Sequence, residues 1–285
     1  MSITADLEVL IACHNRKELT VRAVERVRAT APVRTHITVV DDGSTDGTAD
    51  ALASIAGPDL TVLTGDGSLF WAASMAWAEK TVLYRRSDRD FSLVWLNDDV
   101  RLDADALSRL VSVSAENPHS IVIGPMRDPD SSELTYGGFA TAGIHPLRFD
   151  LIPWSSHQQH ADTLNGNLVL IPATAADRIG PIDGEFAHAL ADIDYGLRAR
   201  RLGIHVVVAP GTLGTCARNP APPREPLLTA WRRFLSPKGG GNPASAARVL
   251  KKDRPGTWPL WWASTYVTWW LREPTSRIRR RGGQR

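Results

Sequence analysis

Two carboxylates stand side by side at the end of an apolar run. Residues 91–100 read FSLVWLNDDV, so Asn97, Asp98 and Asp99 close the run. Adjacent acids repel and do not prolong a hydrophobic strand. Two chemistries fit them. One is a turn, since Asn and Asp are common where strands end. The other is a cation site, because hard divalent ions prefer carboxylate oxygens. Acids recur in DDGSTDGT, residues 41–48. Its Asp42, Ser44, Asp46 and Gly47 have calcium-loop spacing. The closing Glu is replaced by Ala53, however, and the run HITVV stands where a helix belongs, so that reading is rejected. A turn with a helix cap accounts for residues 43–46. It leaves the two acids at the tip unexplained, and Asp41 or Asp42 there can accept hydrogen bonds from a base or ribose.

Three further clusters are polar. In HNR, residues 14–16, Asn15 suits a helix cap and Arg16 suits a phosphate. GDGSLFW, residues 65–71, has GxG without a third glycine, and no Walker lysine occurs. Asp66 and Gly67 therefore belong either to a plain glycine turn or to a ligand loop. ADIDYGLRARRLG, residues 191–203, puts Asp192 and Asp194 in the first turn of a helix. Complementing the helix dipole explains them. A general base beside an attacking hydroxyl would use the same residue type.

The elements that must carry these residues alternate. Apolar runs at 7–13, 36–40, 60–63, 91–96 and 120–124 read as strands. Segments 15–30, 48–56, 68–84 and 103–116 read as helices, the last opening on acids that suit its positive end. Such alternation specifies a mostly parallel sheet flanked by helices, with ligands outside the carboxyl ends of its strands. HNR, DDGSTD, GDG and NDD each follow a strand, so all four are expected along one edge. From 125 onward the texture changes. LTYGGF, LRFDLIP and LNGNLVLIP predict a small mixed or antiparallel sheet, followed by helices at 173–179 and 191–202 and a strand at 205–209.

Composition excludes other classes. The 285 residues are 43% hydrophobic and 22% charged with a net charge of +2, which is ordinary for a globular protein and unlike a nucleic-acid polycation. Cys13 and Cys216 suit neither a zinc motif nor a disulfide framework, so a reducing, cytoplasmic setting is expected. MSITADLEVLIACHNR has no basic leader or adequate apolar core for a signal peptide. No run reaches the roughly 18 apolar residues of a membrane-spanning helix.

With these segments in order, residues 7 to 217 resemble the family 2 inverting glycosyltransferases of GT-A fold, and within them the bacterial rhamnosyltransferase-like group. The segments are ACHNR, VVDDGSTDGT, WLNDDV, NGNLVLIP with IGPIDGEF, and ADIDYGLRARRLG. The resemblance implies an α/β GT-A domain over 1–217. Its nucleotide-binding half is 1–124 and its acceptor half 125–217. It implies that Ala12, Cys13, His14, Asn15 and Arg16 line a nucleotide pocket, that Asp41 or Asp42 binds the base, and that Asp66, Gly67 and Asn97 touch the nucleotide-sugar. Asp98 would meet the ribose or phosphates, and Asp99 would hold Mg²⁺ or Mn²⁺ against the diphosphate. Trp71, Gly166, Asn167 and Asp194 would face the donor sugar or acceptor, and Asp192 would be the general base.

The pattern has departures. Ala191 replaces an acid before the base, and Asn97 replaces the first acid of DxD. GTLGTCARN lacks the histidine that some relatives add to the metal. The activity implied is transfer from a UDP- or dTDP-sugar to a glycan or lipid-linked acceptor in bacterial surface polysaccharide synthesis. A non-catalytic sugar-nucleotide binder is the second reading. A sugar nucleotidyltransferase is the third, although HNRKEL lacks the glycines it would need.

Residues 218–285 form a Pro-, Trp- and Arg-rich arm, expected to be extended with helical pieces. WPLWWASTYVTWWL, 258–271, holds five of the ten tryptophans and is too short to span a bilayer. Tryptophans flanked by arginines suit peripheral contact at the inner face of a membrane through 258–281. Burial against the catalytic domain, or contact between two copies of the chain, fits equally well.

Overall fold

A computed structural model describes residues 5–186, 189–218 and 225–282 of the protein, with side chains through Glu273. Residues 219–224 and 283–285 of the expected arm, and the side chains of 274–282 with the arginine run 277–281 among them, lie outside that description.

The first half alternates as its periodicities require. β1 (Asp6–Cys13), α1 (Lys17–Thr30), β2 (Thr35–Asp41), α2 (Thr48–Ser54), β3 (Leu60–Thr64), α3 (Phe70–Arg85) and β4 (Phe91–Leu96) follow one another. β5 (Arg101–Leu102), α4 (Ala106–Glu116) and β6 (Ile121–Ile123) complete it. β1 to β4 pair in parallel, so their carboxyl ends share one edge. Apolar runs are needed here because both faces are covered. Along β4, Phe91, Leu93 and Trp95 enter one core while Val94 and Leu96 enter the other.

Of the acids expected to open the fourth helix, Asp105 stands at its N-cap and Asp103 serves another purpose. α4 starts at Ala106, and Asp103 instead receives both Nη1 and Nη2 of Arg127 at 2.8 and 2.9 Å.

The second half corrects the expected layout. It comprises β7 (Met126–Arg127), β8 (Leu134–Tyr136), β9 (Gly138–Thr141), β10 (Phe149–Leu151), β11 (Gln159–Ala161) and β12 (Thr163–Leu164). β13 (Leu168–Pro172), α5 (Ala173–Ile179), α6 (Ala191–Arg201), β14 (Val206–Val208) and β15 (Gly214–Thr215) follow. β13 does not join a small side sheet. It enters the main sheet between β4 and β6, antiparallel to both, giving the order β11-β14-β6-β13-β4-β1-β2-β3. Its LVLI run is buried on both faces, and only a central position covers both. The division at 124/125 therefore splits the sequence but not the sheet. Two small sheets, β10-β9-β12 and β5-β15-β7-β8, flank it.

The arm is helical: α7 (Leu227–Leu235), α8 (Pro243–Asp253) and α9 (Trp258–Gly282). Asp194, buried in α6, pairs with Arg198 at 2.9 Å and with Lys252 of α8 at 3.0 Å. Arg201 pairs with Asp253 at 3.0 Å. Trp231 of α7 lies 4.8 Å from Trp269 of α9, and Trp262, Tyr266 and Phe234 extend that cluster.

Candidate active site

The four strand-end loops meet at one edge and are tied to each other. Asn15 takes a left-handed φ of 53°, which Asn tolerates. Its Oδ1 accepts from Thr45 N at 2.7 Å, and its own N–H donates to Ser44 Oγ at 2.8 Å. His14 Nδ1 lies 2.5 Å from the Asp42 carbonyl oxygen. Asp42 then accepts from Gly67 N at 2.9 Å and Phe70 N at 3.0 Å. Gly43 is required between them. Its φ is +66°, and a Cβ there would meet Gly67 N at 2.7 Å.

This lacing explains the two acids that a turn and cap left over. Asp41 and Asp42 are only 1% and 4% exposed. Asp41 Oδ1 accepts from Ser44 N at 3.0 Å, so both carboxylates are turned onto the protein's own backbone. The exposed residues of that loop are Thr45 and Asp46. Asp66 is exposed and caps its own turn through Ser68 N at 3.0 Å, next to Gly67. Ala12 is half-buried against the core. The Cys13 side chain is inside the core with a thiol pushed up to about 12 by burial, so it does not line the edge as expected.

Arg16 ties the first loop to the fourth. Its Nη1 lies 2.8 Å from Asp98 Oδ1 and 2.9 Å from Asp99 Oδ2. Asp98 is buried, and its Oδ2 has no hydrogen-bond partner among the described residues. Burial raises its pKa to about 6, with Arg16 pulling it down and Asp99 pushing it up. Asp99 is the more open of the pair, with 38% of its side chain exposed.

Asn97 is a hub rather than a stand-in for an acid. Its Oδ1 accepts from Trp71 Nε1 at 2.8 Å and its Nδ2 donates to Asn167 Oδ1 at 2.7 Å. A carboxylate cannot do both. Asn167 Nδ2 reaches Cys216 Sγ at 3.4 Å, and that sulfur lies 3.6 Å from Asp99 Oδ1. Burial pushes the Cys216 thiol up to about 12, reinforced by Asp99. Sequence reasoning missed Cys216. It had passed over GTLGTCARN for want of a histidine, although a polar residue after a short strand was a signal.

Asp192 joins from the far side. Because β13 runs antiparallel, residues 165–167 before it lie at the same edge as the loop after β4. Asp192 Oδ2 accepts from Gly166 N at 3.1 Å, and Oδ1 from Ile193 N at 2.8 Å. Gly166 must be glycine, since a Cβ would sit 2.7 Å from the Trp71 ring and 3.5 Å from Asp192 Cβ. Trp71, Gly166, Asn167 and Asp192 are thus brought together. Burial raises the Asp192 pKa, against the lowering effect of its backbone hydrogen bonds. A raised carboxylate is better matched to proton removal near neutral pH. Asp194 is not brought to the group; it is 1% exposed and spent on Arg198 and Lys252.

The helices that deliver Trp71 and Asp192 both begin in strain. Phe70 has φ 55° and Leu190 φ 78°, each about 1–3 kcal/mol unfavourable for a residue with a Cβ. Such strain is retained where surrounding structure fixes it, and it clusters at functional sites.

The two acids suit a divalent ion that arrives with phosphate. Asp99 offers an open carboxylate, and Mg²⁺-type sites need only one or two carboxylates when a substrate's phosphates complete them. Among the described residues no cluster of three or more His, Cys, Asp or Glu could hold an ion alone.

Residues 8–167, more than half of the chain, match the family model described as glycosyl transferase family 2. The chain belongs to glycosyl transferase family 2. No curated protein matches it. Its family 2 fold is shared with the mannosyltransferase PcManGT of Pyrobaculum calidifontis in complex with GDP-Man and Mn²⁺. That likeness has a TM-score of 0.59 at 18% identity, over 93% of this chain and 70% of that one. GalNAc-T7 with UDP, GalNAc and Mn²⁺ gives 0.61 at 14% identity, over 96% of this chain and 58% of that one. S. aureus TarS 1-349 gives 0.55 at 12% identity, over 74% and 60%. This family 2 chain therefore spans less than two thirds of the latter two. At these identities the likeness shows the GT-A fold alone.

Proposed function

We propose that the protein is an inverting glycosyltransferase moving a sugar from a UDP- or dTDP-sugar to a hydroxyl of a glycan or lipid-linked acceptor, in bacterial surface polysaccharide synthesis. The observation that carries this reading is the convergence of Asp192, through Gly166, Trp71 and Asn97, on the acid pair Asp98 and Asp99. Arg16 would turn from the acids to the diphosphate. In the reaction the acceptor oxygen bonds to the anomeric carbon as the carbon–oxygen bond to the diphosphate breaks. The nucleoside diphosphate leaves with the electron pair, Asp192 takes the hydroxyl proton, and one displacement inverts the centre. Mg²⁺ or Mn²⁺ held by Asp99 and the diphosphate would offset the charge on the leaving group. PcManGT and GalNAc-T7, which carry Mn²⁺ beside GDP-Man and UDP, support that expectation.

Asp192→Asn tests the reading. Transfer should fall about 10²- to 10⁴-fold while UDP or dTDP still binds. A wild-type chain that binds a nucleotide diphosphate but turns nothing over is instead a sugar-nucleotide binder. Titration with UDP, dTDP and GDP, each with and without Mn²⁺, narrows the donor. Binding of none of the three overturns the proposal. Ala191 does not favour the binder, because position 191 is buried in the core, where an acid would be costly.

A further inference from the structure

Helix α9 has two apolar faces, and one of them is covered. Trp262 Nε1 donates to the Pro243 carbonyl at 3.0 Å, and Tyr266 and Trp269 pack on Trp231. The other face carries Leu260, Ala263 and Val267, all exposed, while Trp270 turns to Trp231 on the covered side. Spacings of three and four place the exposed three in one stripe, about 10 Å long at the helical rise. Leu260 is 73% and Val267 57% exposed, where a helix facing water carries charge. A second element adds to the surface. Ile144, 89% exposed, and Pro146 line the same groove of about 550 Å³ as Leu260, Trp261 and Arg254.

Charge decides what fits this face. Residues 225–285 hold thirteen Lys and Arg against three acids, in a chain whose net charge is only +2. The rest of the chain is therefore net acidic. Arg232 and Arg233 are exposed on α7, Arg254 borders the groove, and Lys251 lies over the Trp258 ring at 4.6 Å. Arg277 and Arg279–Arg281 follow in sequence. A second copy would set this positive surface against itself, whereas an anionic lipid surface attracts it. No helix among the described residues is long and apolar enough to cross a membrane. We propose that the exposed face of α9, with Ile144, lies in the interface of an anionic phospholipid bilayer. The apolar groups would enter the headgroup boundary and the basic residues would meet the phosphates.

Co-sedimentation of the full chain with phosphatidylcholine vesicles, with and without phosphatidylglycerol, tests this independently of the sugar-transfer reading. The chain should bind the anionic vesicles, and less so in raised salt. The double variant Leu260→Glu, Val267→Glu should bind them at least about tenfold more weakly, with an unchanged far-ultraviolet dichroism spectrum reporting an intact fold. No binding by the wild type, or equal binding by the variant, overturns the proposal. A wild-type dimer in light scattering that the variant dissolves also overturns it, assigning the stripe to a second copy.

Discussion

Asn97 is the residue that makes WLNDDV legible. It precedes two acids and looks like a weakened ligand. In the fold its amide receives Trp71 and supplies Asn167 at the same time. Asn97→Asp keeps the acceptor and loses the donor, so stability should drop by about 1–2 kcal/mol, measured by urea unfolding. Arg16 acts at the same scale. It bridges Asp98 and Asp99, so the two acids already share one cation. Arg16→Gln should tighten Mn²⁺ binding in the absence of nucleotide and weaken nucleotide binding. Unchanged Mn²⁺ affinity in calorimetric titration would show that Arg16 does not compete for the acids. In the proposed reaction Asp192 is the base and must be ionised to accept a proton, which sets the expected pH dependence. Its pKa is raised, so the rate should fall on acidification at a higher pH than an ordinary aspartate would give.

At the scale of elements, β13 and α3 set the geometry. β13 brings residues 165–167 to the carboxyl edge because it runs against its neighbours. α3 carries Trp71 at its start and Glu79 deep in its body. Glu79 is fully buried. One carboxylate oxygen accepts from Ile182 N at 3.0 Å, and the other has no partner among the described residues. Burial raises its pKa to about 7. The unfolded chain releases that proton near the ordinary value of 4.5, so folded stability declines as pH rises from there through about 7. Glu79→Gln should remove the decline and gain up to about 3 kcal/mol at pH 8 over the wild type, seen in thermal unfolding at pH 5 and pH 8. A wild-type stability that is flat across that range contradicts this account. These elements were legible in their local pattern. FSLVWL and LVLI read as strands, and the helix at 173–179 was placed to the residue. The pairing partner of β13 was not legible, because an apolar run that is buried on both faces looks the same in any central position.

For the molecule as a whole, the catalytic domain and the arm are joined through α6. Asp194 anchors Arg198 beside it and Lys252 on α8, while Asp192 two residues earlier faces the sheet edge. Asp194→Ala would leave both cations without their buried partner. It should cost about 2–4 kcal/mol and expose the arm to limited proteolysis before the domain. An arm that resists cleavage as well as the wild type does would show that Arg201–Asp253 and the pairs of Asp183 with Arg248 and Lys252 hold it without Asp194.

The sequence by itself determined the order of elements, the edge where the polar loops gather, and the family-like segments that carry the acids. Each of these depends on neighbours along the chain: side-chain period, turn chemistry and the rule for strand ends. Only the tertiary structure decided that Asp41 and Asp42 serve the backbone, that Asp192 and not Asp194 turns to the site, and that Cys216 lies beside Asp99. The Asp99–Cys216 and Asp192–Gly166 contacts join residues 117 and 26 positions apart. Such contacts are set by strand order and by which face of a helix is covered, and neither is written in a local window of residues.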